Sequence, residues 1–158
     1  MRDTCRRFLK LKQLERKIVF EAAATLIATW AGLRLFGFRR WNEISERLAR
    51  VRNRNSGGVR EIQADVELAG QIGRLEAATE RYLIFRVNCL ERSMSLLWLC
   101  RRRGIPATLQ FGARKHGSLV EAHAWIEVAG NVMDPGEGNL PDFVAFDGPI
   151  SFPETQIR

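Results

Sequence analysis

The hydrophobic period of this chain changes once, at Gly104-Ile105-Pro106, and that change limits the folds open to it. Before it, apolar residues recur every three or four positions; after it, they alternate. Leu11, Leu14, Ile18, Ala22, Leu26 and Trp30 predict one helix over 6–33. Ile44 and Leu48 predict a shorter one over 41–50, and Ile62, Val66, Ala69, Ile72 and Leu75 a third over about 60–81. A fourth opens at Asn88 and ends in Arg101-Arg102-Arg103, a basic triplet that suits the negative end of the helix dipole. Beyond Pro106, Ala107, Leu109 and Phe111 alternate with Thr108 and Gln110, and 114–118 reads as a charged turn. The strongest strand signal is 119–128; Gly130-Asn131 then turns the chain into Val132-Met133-Asp134. Pro141, Pro149 and Pro153 predict an irregular tail with short extended pieces. Helices first and a small antiparallel sheet second make an α+β fold.

With 158 residues, 46% of them hydrophobic, the chain has enough apolar material for a single domain over 1–158. Within it, 1–80 forms a helical N-terminal region and 81–158 carries the change of period. The formal charge of +7 is uneven: residues 1–60 hold 15 Lys and Arg against 5 Asp and Glu. Such a basic half fits an acidic partner, nucleic acid or a membrane surface, or else ordinary solvated helix faces. The densely charged stretch from Arg2 to Lys17 is unlike a signal peptide. The longest apolar run, 22–33, is too short to span a bilayer, so no transmembrane segment is expected. Of three cysteines, Cys89 and Cys100 fall on one helix about 16 Å apart, beyond disulfide reach. A reducing, cytoplasmic setting fits best.

Asn88 and Glu91 have the spacing of a capping box, which makes Cys89 the first helical residue. Unpaired N–H groups and the positive end of the dipole favour a thiolate there. The same cysteine shares a helix face with Ser93, Leu96, Leu97 and Cys100, so a buried core residue is the competing reading. A thiol nucleophile needs a base, and the imidazole needs an acid to hold its tautomer. His123, mid-strand and on the polar face, and Asp134, on the next strand, fill those roles in order. His116 reads as a surface residue. A two-residue turn at Gly130-Asn131 would set Asp134 opposite Glu127, about 13 Å along the strand from His123's partner. Asp134 therefore needs a shifted turn or a bulge, and Glu137 is the reserve. One Cys, one His and one Asp do not make a structural zinc site, and no metal is expected.

Cys89-Leu90-Glu91-Arg92-Ser93, Arg101-Arg102-Arg103-Gly104-Ile105-Pro106-Ala107, Phe111-Gly112-Ala113-Arg114-Lys115 and Ala122-His123-Ala124-Trp125-Ile126-Glu127 together carry a resemblance. They resemble the lasso peptide B proteins, in particular the protease half encoded as a stand-alone chain, within the transglutaminase-like superfamily of cysteine proteases. The likeness is close over about 80–137. It implies a transglutaminase-like, papain-like core in which the catalytic helix packs on the sheet. It also implies a leader peptidase with Cys89 as nucleophile, His123 as base and Asp134, followed by Pro135, as the orienting acid. No cofactor is implied. The implied partners are the leader region of a precursor peptide, a separate leader-binding protein and an ATP-dependent lasso cyclase, with no nucleic acid. An amidase or acyltransferase using the same triad, and a non-catalytic module binding peptide or nucleic acid through the basic half, are the alternative readings.

Overall fold

A computed structural model describes residues 13–53, 61–116, 119–133 and 143–146. Three helices, α1 (Gln13–Asn53), α2 (Ile62–Glu80) and α3 (Cys89–Arg101), precede four strands. The strands are β1 (Thr108–His116), β2 (Leu119–Val128), β3 (Asn131–Met133) and β4 (Val144–Ala145), in the order β3-β2-β1-β4. Each strand runs antiparallel to its neighbours. This is the α+β arrangement expected from the change of period.

Along α1, Ile18 and Ala22 are buried with Ala69 and Ile72 of α2 and Leu96, Leu97, Leu99 and Cys100 of α3, and Leu26 is fully buried as well. Ile126 and Val128 of β2 close the other side of this core. Each large aliphatic side chain sealed in this way contributes about 1.5–3 kcal/mol. By length and composition alone α1 could cross a membrane; here two of its polar side chains, Thr25 and Glu21, bind α3 and the basic triplet at its end. Thr25 accepts a hydrogen bond from Ser95 at 2.9 Å. Glu21 pairs with Arg103 at 2.5 Å and Arg102 at 3.6 Å, so the basic triplet is tied to α1.

Where two helices were expected, 6–33 and 41–50, one element continues through Gly37, whose φ of 73° and ψ of 172° make a kink. Only the left-handed freedom of glycine allows that φ cheaply. The kink folds Trp41 back over Gly32, where a side chain would lie 2.2 Å from the Trp41 ring. Trp41 then meets Trp98 of α3 edge-on, at 5.7 Å between centroids. The inward face of this second part is Trp41, Ser45 and Ala49, with the expected Ile44 half-buried against the same cluster, whereas the expected Leu48 is 51% exposed. Leu14 and Ile62, also expected inside, lie near helix starts and are exposed.

At its far end α3 closes on Gly104, which has φ 72°. Ile105 N–H donates to the Cys100 carbonyl and Gly104 N–H to that of Arg101, both at 3.1 Å. This is a Schellman closure, with Ile105 buried against the core as its apolar contact. β1 runs further than expected: Arg114, Lys115 and His116 pair with Glu121, Val120 and Leu119 instead of turning. The β2–β3 turn is Ala129-Gly130, not Gly130-Asn131, and Val128 faces Asn131. Both turn residues have positive φ, 49° and 77°, as a type I′ hairpin requires.

Candidate active site

The start of α3 is built as its sequence predicts. Asn88 is extended, its side-chain oxygen accepts the Glu91 N–H at 2.9 Å, and its own N–H donates to Glu91 Oε2 at 2.9 Å. Arg92 N–H returns to the Asn88 carbonyl at 3.0 Å. The cap engages the N–H groups of Asn88, Glu91 and Arg92, and those of Cys89 and Leu90 are the ones the helix N-terminus leaves over. Cys89 is the first residue of the helix and half-buried. Cys100, on the same face, is fully buried, and burial pushes its thiol up to about 12. Of these two, only Cys89 is placed for chemistry; Cys5 lies outside the described residues.

One turn beyond Cys89, Ser93 Oγ donates to the Ala124 carbonyl at 2.7 Å. That carbonyl is free to accept because of the strand register. The opposite residue on β1, Phe111, gives its own carbonyl to Phe146 N–H at 2.9 Å, so the Phe111/Ala124 pair does not bond across the ladder. The Ala124 carbonyl therefore points off the other edge of β2, beyond Met133, the last residue of β3. Through it the first turns of α3 are fastened to β2 at the residue next to His123.

His123 is 4% exposed. It shares a strand face with Trp125 and Glu127, the face opposite the one that Ile126 and Val128 give to the helices. This face is not the polar surface expected from sequence. The His123 ring stacks on Trp125 at 6.2 Å and meets Phe143, just before β4, at 5.1 Å. Trp125 donates to Glu127 at 3.1 Å. Arg114 lies over the Phe143 ring at 4.5 Å while pairing with Glu121 at 2.7 Å. Gly112 is directly opposite His123, and a side chain there would meet the Trp125 ring at 2.7 Å and the Val144 carbonyl at 2.6 Å. Gly112 and Phe143 are site residues that sequence reasoning did not assign. A glycine inside a strand run was the available signal for the first; Phe143 offered none.

Asp134 and Glu137 lie outside the described residues. His116 ends β1, away from His123, and its side chain is likewise outside them. Among the described residues no three His, Cys, Asp or Glu side chains gather to hold a metal ion.

A family model for the transglutaminase-like superfamily matches residues 32–145, from within α1 to the last residue of β4. The chain belongs to the transglutaminase-like superfamily, which includes cysteine proteases and acyltransferases. No curated protein and no solved structure matches it.

Proposed function

We propose that this chain is a cysteine endopeptidase that cuts the leader from a ribosomally made lasso peptide precursor. The observation that carries this reading is the Ser93–Ala124 hydrogen bond, which joins the capped helix start bearing Cys89 to the strand bearing His123. The four motifs quoted above supply the choice of substrate. In the reaction, His123 takes the Cys89 proton and the sulfur adds to the scissile carbonyl carbon. The Cys89 and Leu90 N–H groups receive the developing oxyanion. Collapse breaks the C–N bond, and the imidazolium gives its proton to the leaving amine. Water then adds to the thioester, with His123 as base, and releases the leader carboxylate and the thiol. No metal or cofactor enters these steps.

Asp134 remains our proposed orienting acid. Its support is the Asp134-Pro135 step of the resemblance, since the residue lies outside the described ones. Leader recognition is assigned to a separate binding protein, with the cyclase acting on the released core.

The test is precursor cleavage with the leader-binding partner present, followed by mass spectrometry. Cys89→Ala abolishes cleavage and Cys100→Ala retains a substantial part of it; a Cys89→Ala protein that still cuts rejects the protease. Asp134→Asn lowers kcat about 10²- to 10⁴-fold with little change in KM. A crippled Glu137→Gln beside a normal Asp134→Asn moves the acid to Glu137. Transfer of the leader to an added amine in preference to water would instead mark an acyltransferase.

A further inference from the structure

The capping carboxylate of Glu91 poses an electrostatic difficulty at the nucleophile. It is 2% exposed and two residues from Cys89, where a negative charge opposes a thiolate. Arg34 of α1 answers it. Its Nη1 is hydrogen-bonded to Glu91 Oε1 and also donates to the Trp30 carbonyl at 3.0 Å. The guanidinium lies 4.4 Å above the Trp30 ring, and that ring stacks at 4.8 Å on Phe85, in the segment leading to Asn88. Glu91 thus has one oxygen on the Asn88 N–H and the other on a cation held by α1.

We propose that Arg34 is a positioning residue for Cys89: it neutralises the buried Glu91 carboxylate, so that the helix keeps its cap without opposing the thiolate. The proposal rests on Cys89 being the nucleophile. The other charged groups on the elements meeting this helix start differ in kind. Arg92 pairs with Glu80 of α2 at 2.7 Å, Glu121 of β2 pairs with Arg114 of β1, Arg86 in the lead-in is exposed, and His123 is the proposed base. Among the described residues, Arg34 is the cation that contacts Glu91.

The experiment measures iodoacetamide alkylation of Cys89 against pH, with peptide mapping to separate it from the other cysteines. Arg34→Met slows alkylation near neutral pH about 3- to 10-fold and converges with wild type at strongly alkaline pH, where every thiol is ionised. Arg34→Lys restores most of the rate. Glu91→Gln, which keeps an acceptor for Asn88 and leaves the guanidinium charge unbalanced, alkylates faster than wild type. The Arg34→Met/Glu91→Gln pair returns close to wild type and supplies the test if Arg34→Met alone does not fold. An Arg34→Met rate unchanged near neutral pH, a drop equal at every pH, or a Glu91→Gln rate at or below wild type overturns the proposal. Alkylation reads the thiol alone, so loss of the protease reading in the cleavage assay is seen separately.

Discussion

Glu76 is a fully buried carboxyl group beside the Ser95–Thr25 contact that joins α3 to α1. Burial pushes it up from 4.5 to about 8, against a weaker downward pull from the Ser95 hydroxyl beside it. The folded chain therefore holds a proton that the unfolded chain loses above about pH 4.5. Stability is fullest below that pH, falls as the pH climbs to about 8, and then levels off. The full span is on the order of 4–5 kcal/mol. Glu76→Gln should remove most of this slope in urea unfolding series between about pH 5 and pH 8; an unchanged slope would assign it to other groups. Sequence could not reveal Glu76, because a helical glutamate ordinarily lies on a solvated face. The Asn88–Glu91 box was legible because its partners are three residues apart. Arg34 is 57 residues from Glu91, and no local pattern joins them.

At the scale of elements, α3 and β2 were legible at both ends, because a cap, a closing glycine and ten alternating residues mark them. The β2–β3 turn was not. A turn at Gly130-Asn131 or at Ala129-Gly130 leaves Met133 on the core face, so alternation cannot separate the two registers. What separates them is Ala129 at φ 49°, a conformation that residue rules assign against. An alanine there costs about 1–2 kcal/mol in backbone strain. Ala129→Asn, which suits the first position of a type I′ turn, is expected to stabilise by roughly 0.5–1 kcal/mol, read as a raised urea midpoint. No gain would mean that the turn is held by its strands. The kink in α1 was half legible: a break between 33 and 41 was expected, but not that Gly37 returns Trp41 to Gly32 within one element.

Across the whole molecule, charge and chemistry are separated: residues 1–60 are net +10, while Cys89 and His123 come later. We propose that this basic region docks the leader-binding partner or the precursor it carries; Lys17 is exposed on α1, and Arg6, Lys10 and Lys12 lie outside the described residues. Reversing Arg6, Lys10 and Lys17 to Glu is expected to weaken partner binding by at least tenfold at low salt and less at high salt, as screening predicts. Unchanged partner affinity and cleavage with lost retention on DNA would reassign the charge to nucleic acid. The match over 32–145 extends the superfamily back into α1, well before the quoted motifs begin at Cys89. The ring that meets His123 has a further consequence. Phe143 directly precedes β4, whose pairing with β1 is confined to Gly112–Ala145 and Ala113–Val144, so shelter of the imidazole hangs on the shortest strand pairing in the sheet.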